Sequence, residues 1–127
     1  MNVKVRAEKT DGGIEWTIDG KNPKAAVHSF GRKSGPQQIH FGLDDATDLG
    51  LRFDEDPIWV HENDQEQCPP AGISTDQIEV ISVNQKQLIV RNRNDGPART
   101  LHYQLNLIDA SGTTAQVDPV IKNGGSI

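Results

Sequence analysis

Two acidic clusters, Asp54-Glu55-Asp56 and Glu62-Asn63-Asp64, hold the residue types best suited to chemistry in this chain. Carboxylates gathered on loops at one end of a β-sandwich can coordinate calcium, which takes six to eight oxygens and tolerates irregular geometry. Asp54, Asp56, Glu62 and Asp64 are the candidate ligands. They belong to a wider acidic stretch. From Asp44 to Glu66 nine acids face a single base, Arg52, whereas the rest of the chain holds nine acids and twelve bases. No Asp-x-Asp-x-Asp-Gly calcium loop is present. A solvated acidic segment, or one that meets a basic partner, has the same composition.

Other chemistries are poorly supplied. A blue-copper site needs two histidines and a cysteine, usually with an axial methionine. Here the only methionine is Met1, and no histidine follows Cys68 before His102. One cysteine excludes an internal disulfide framework, and nothing beside it would activate the thiol. His28, His40, His61 and His102 are scattered. Gly-x-Ser-x-Gly, His-Glu-x-x-His and phosphate-loop patterns are absent, so no catalytic residue is assigned and a non-enzyme is expected. Calcium is the one cofactor the residues suggest. The loop Gly31-Arg32-Lys33-Ser34-Gly35-Pro36 could bind an isolated anion through backbone N–H groups, or be a flexible connection.

These residues need a scaffold, and the scaffold reads as β. The hydrophobic share is only 34%, so pattern rather than quantity argues for folding. Val3, Val5 and Ala7 alternate with polar neighbours, Thr10 to Gly13 makes a turn, and Ile14, Trp16 and Ile18 alternate again as the second arm of a hairpin. Weaker signals mark Ala25 to Phe30, then Ile39, Phe41 and Leu43. Asp44 to Ala71 is irregular, with one helical turn expected at Asp45 to Leu49. Ile78 to Val83 and Leu88 to Asn92 form two further strands. Leu101, Tyr103, Leu105 and Leu107 give the cleanest alternation, and Thr113, Ala115 and Val117 the last strand. The expectation is an all-β chain: one antiparallel, immunoglobulin-like β-sandwich domain over residues 1–127 with seven to eight strands. Trp16, Trp59 and Tyr103 are expected in the core or at its rim.

The C-terminal segment "LHYQLNLIDASGTTAQVDPVIKNGG", through Tyr103, Asp109, Gly112, Asp118, Pro119, Asn123 and Gly124, resembles the ending of small bacterial β-sandwich proteins of the DP-EP family. The resemblance spans about the last thirty residues and implies a fold without an activity. Within the segment, Asp118-Pro119 reads as the end of a strand and Asn123-Gly124-Gly125 as a loose exit from the domain. A ubiquitin-type diglycine handle is not expected, because that fold needs a substantial helix.

A net charge of −5 disfavours nucleic acid, whose phosphates require clustered Lys and Arg. No apolar run is long enough to span a membrane and no signal peptide is visible, so cytoplasm is the default expectation; a trimmed mature chain would look the same. A non-catalytic binding or assembly module remains, meeting a protein partner or a second copy through strand edges or end loops. A calcium- or small-ligand-binding domain built on residues 44–66 is the alternative.

Overall fold

A computed structural model describes residues 1–62 and 71–126. The described residues form ten strands: β1 (Asn2–Thr10), β2 (Gly13–Ile18), β3 (Val27–Phe30), β4 (Gln37–Asp45), β5 (Arg52–Glu62), β6 (Ile78–Val83), β7 (Gln87–Asn92), β8 (Arg99–Ile108), β9 (Thr114–Val117) and β10 (Val120–Asn123). Among the described residues the one helical element is a 3-10 turn at Pro23–Ala25, capped by the Asn22 side chain. The strands form two five-stranded sheets. The first has the order β2-β1-β4-β7-β6; the second has the order β3-β10-β8-β5, with β9 also on β8.

Alternation explains the core. Val3, Val5, Ile39, Phe41, Leu88 and Val90 point inward from the first sheet, and Ile58, Val60, Leu101, Tyr103, Leu105 and Leu107 from the second. All belong to one buried cluster, so the two sheets share a single apolar interior. The order β4-β7-β6 opposite β5-β8-β9/β10 reproduces the B-E-D and C-F-G pairing of an immunoglobulin constant-type sandwich. The hairpin β1-β2 widens the first sheet, and β3 widens the second.

Several details depart from the sequence expectation. There are ten strands rather than seven to eight, and both sheets are mixed: β1 runs parallel to β4, and β3 parallel to β10. The stretch from Asp44 onward is not irregular throughout, because β5 is an eleven-residue strand. Its alternation is hidden by a bulge. Phe53 pairs with Leu107 and Ile58 with Leu105, so four residues of β5 stand opposite Asn106 alone. The Asn106 amide donates to the Asp56 carbonyl at 2.9 Å and bridges the gap, and Pro57 is tolerated where the ladder is already broken.

No helical turn forms at Asp45 to Leu49. The Asp45 carboxylate instead accepts the N–H groups of Leu49 and Leu51, at 2.9 and 3.0 Å, and closes a turn in which Asp48 has φ 55°. Asp118-Pro119 interrupts a strand without ending it. β9 pairs with Leu105–Ile108 and β10 with Arg99–His102, so the two are halves of one edge of β8, broken where proline cannot donate.

The segment after β10 is not a loose exit. Gly124 N donates to Phe30 O, Gly125 O accepts from Lys33 N, and Ser126 N donates to Gly96 O, at 2.8, 2.7 and 2.8 Å. A Cβ on Gly124 would collide with the Arg32 backbone, and one on Gly125 with Gly96 O and Pro97. Gly125 also has φ 76°, which side-chain-bearing residues rarely adopt. Gly124 and Gly125 are therefore architectural residues, required by a close approach of backbones.

Candidate functional site

One end of the sandwich is built from buried amides. Asn92, on the inward face of β7, and Asn123, on β10, are both buried, and they exchange hydrogen bonds between the two sheets at 2.8 and 2.7 Å. Just beyond, buried Asn94 donates to Gly31 O and Ser34 Oγ, and its own oxygen accepts from Gly125 N at 2.9 Å. Buried Gln77 donates to Asp95 at 2.7 Å and accepts from Asp95 N at 3.1 Å. Asn92 and Asn123 satisfy each other, Asn94 and Gln77 satisfy backbone groups that would otherwise be stranded, and a satisfied buried network fixes the loops it joins. Residues 31–36, 93–96 and 124–126 are held together in this way.

That scaffold carries an open depression of about 340 Å3, lined by Lys33, Gly35, Arg91, Arg93, Asn94 and Ser126 among others. Arg91 and Arg93 share the outward face of the β7 segment because side chains alternate in extended chain. Arg93 is tethered to Asp95, at 2.9 Å. Among the described residues neither Lys33 nor Arg91 has a carboxylate within ion-pair distance. The Asp95 carboxyl is held below its usual range first by the Gln77 hydrogen bond; desolvation opposes this, and the Arg93 guanidinium adds to the lowering. The 31–36 loop, expected as either an anion cradle or a flexible connection, is pinned at Lys33, Ser34 and Gly31.

The acidic candidates are dispersed along β5. Asp54 and Asp56 sit together at the bulge, where Asp54 accepts from Asp56 N at 3.1 Å and Asp56 accepts from the Trp59 indole at 2.7 Å. Glu62 lies at the opposite end of β5 and is engaged by Arg99 at 2.6 Å and Thr75 at 2.7 Å. Burial pushes the Glu62 carboxyl up, and the Thr75 and Arg99 hydrogen bonds more than offset it, so the net shift is downward. Asp64 and Cys68 lie outside the described residues, as does Glu66. Among the described residues no three His, Cys, Asp or Glu side chains gather as a metal site.

No family model, curated protein or solved structure matches the chain. Its residues must speak for it.

Two histidine sites escaped the sequence reading. His28 and Tyr103 meet inside the core, with Nε2 and the hydroxyl 3.0 Å apart. Burial is the main reason the His28 imidazole titrates below its usual value and Tyr103 well above. On the second sheet His61 faces its register partner His102, with ring centroids 5.9 Å apart, and the buried His61 Nε2 has no partner among the described residues. Neither pairing has a short-range sequence signal, since each joins separate strands. Asn92 did offer one: a polar residue at an inward position of a strand implies a buried hydrogen-bond partner.

Proposed function

We propose that this chain is a non-catalytic assembly module that pairs with a second copy along the open edge of β6. The carrying observation is the character of that edge. β6 ends its sheet, and its last residues, Ile81-Ser82-Val83, are uncharged, with Ile81 46% and Val83 40% exposed. An unpaired strand edge is a template for another strand, and native proteins usually guard it with Lys, Pro or a covering loop. The span Ile78–Val83 contains neither Lys nor Pro.

The other edges are less suited. β5 is partly covered, since Val60 N donates to Gly72 O at 3.0 Å and Ser74 N to Val60 O at 2.9 Å. β3 has four residues. β2 is flanked by Gly12-Gly13 and carries an exposed Glu15. β6 itself has one irregularity, a register shift between Val80 and Ser82 that makes Ile81 an extra, outward residue. The bulge confines pairing to the end of the strand and sets Ile81 against the incoming chain.

Antiparallel pairing of β6 with its copy is self-complementary, as a two-fold interface requires, and joins two five-stranded sheets into one. No like charges meet along Ile81–Val83, so the net charge of −5 does not oppose contact there. Amide hydrogen exchange tests the edge directly. Protection across Ile78–Val83 rises with protein concentration on this reading. Exchange of those amides that is independent of concentration argues against it.

A further inference from the structure

We infer that the depression between the 31–36 loop and the end of β7 is a binding site for a phosphate group, free or as a monoester. The site is separate from the β6 pairing and does not rest on it. Its lining brings Lys33, Arg91 and Arg93 together with a single carboxylate, Asp95, in a chain whose overall charge is −5. Asp95 is engaged by Arg93 at 2.9 Å, and Asp76 is shared between Arg99 at 3.5 Å and Arg93 at 4.0 Å. Glu79, the register partner of Arg91 on β6, makes no ion pair with it. Lys33 and Arg91 therefore present positive charge without an internal partner among the described residues. A dianionic oxyanion matches that local surplus, and Arg offers it paired N–H donors.

The backbone supports the same reading. Lys33 has φ 61° and Asn94 has φ 46°, a left-handed conformation that costs a residue with a Cβ and suits glycine. Lys33 is kept there by its N–H to Gly125 O, at 2.7 Å, and the adjoining loop is held by Asn94. A glycine at this position would relieve the strain. The lysine thus supplies charge at the rim at the expense of local stability, a conflict expected where function and fold compete. Ser126, whose hydroxyl accepts from Gly96 N at 2.9 Å, and the Asn94 amide complete the wall. The volume of about 340 Å3 accommodates a phosphate with several waters.

The test is a titration of the intact chain with inorganic phosphate and, separately, O-phosphoserine, against sodium chloride of equal ionic strength. Wild type is expected to melt a few degrees higher in saturating phosphate than in chloride, as ligand linkage requires. Arg91→Gln and Lys33→Gly should each weaken binding about tenfold or more, the loss of one charge-assisted contact. Lys33→Gly should melt no lower than wild type without phosphate, which separates lost binding from lost folding. Lys122→Gln, on exposed β10 surface, should bind as wild type. O-phosphoserine binding comparable to free phosphate indicates a site open to esters; exclusion of the ester with retained phosphate binding limits the ligand to the free ion. No difference between phosphate and chloride in wild type overturns the inference, as does wild-type affinity in both Arg91→Gln and Lys33→Gly.

Discussion

Asn92 and Asn123 exchange two side-chain hydrogen bonds across the interior, at 2.8 and 2.7 Å, and so tie β7 of one sheet to β10 of the other. Both residues are buried. Removing one leaves the other buried without its partner, and an unsatisfied buried polar group costs about 1–3 kcal/mol. Asn123→Leu keeps the branch point at Cγ and should lower unfolding stability by about 2–4 kcal/mol, the amide loss plus imperfect packing. The double variant with Asn92→Leu should be less destabilised than the sum of the singles. Denaturant melts of the cycle measure that coupling.

The Gly124–Ser126 segment should behave as part of the fold. Gly125→Ala places a Cβ against Gly96 O and forces a left-handed φ, so it should cost at least about 2 kcal/mol. Deleting residues 124–127 removes the backbone partners of Phe30, Lys33 and Gly96 and should lower the melting temperature by several degrees or more. Unchanged melting after deletion would restore the view of a loose exit.

The His28–Tyr103 pair predicts a sign for pH dependence. Burial lowers the folded His28 value below its usual 6.5, so protonation favours the unfolded chain. This contribution is complete above the unfolded value and is lost as pH falls from about 6.5 through the folded value. Wild type should therefore weaken over that acid range, and His28→Leu should flatten this part of the profile. Tyr103→Phe removes the hydroxyl partner of the His28 ring and should cost about 1–3 kcal/mol at neutral pH. Thermal melts in a buffer series read both effects.

Asp45 closes the β4–β5 turn through Leu49 N and Leu51 N, with Lys86 Nζ at 3.9 Å. Burial raises its pKa, and the backbone N–H groups of Leu49 and Leu51, aided by Lys86, outweigh that effect, so the net direction is down. Its stabilisation is present above the ordinary carboxylate value and disappears as pH falls through the folded one. Asp45→Asn should cost about 1–2 kcal/mol, as loss of a capping carboxylate does. Lys86→Ala should cost less, because that lysine is half exposed and solvent screens it.

How much of this was legible in the chain depended on whether period-2 alternation ran unbroken. Leu101, Tyr103, Leu105 and Leu107 announced β8 as the buried centre of a sheet, and Val3, Val5 and Ala7 announced β1. β5 was obscured because Asp54 to Pro57 stand opposite a single residue of β8 and shift the phase between Phe53 and Ile58. β10 was obscured because proline looks like a terminator locally, whereas its pairing with β8 and β3 is made by distant residues. The same distance hid the cationic depression, which joins Lys33 to Arg91 and Arg93. Conversely, the adjacency of Asp54, Asp56 and Glu62 in sequence overstated their adjacency in space, since β5 carries Glu62 to Arg99 at its far end.

The pairing of β6 with a second copy is tested most directly by sedimentation equilibrium of wild type and Ile81→Lys over a concentration series. Ile81 is 46% exposed, so the lysine should leave the fold intact while guarding the edge. The predicted result is a concentration-dependent dimer for wild type and a monomer for Ile81→Lys. A wild-type chain that stays monomeric up to high micromolar concentration, or a dimer that Ile81→Lys leaves undisturbed, would contradict assembly through β6.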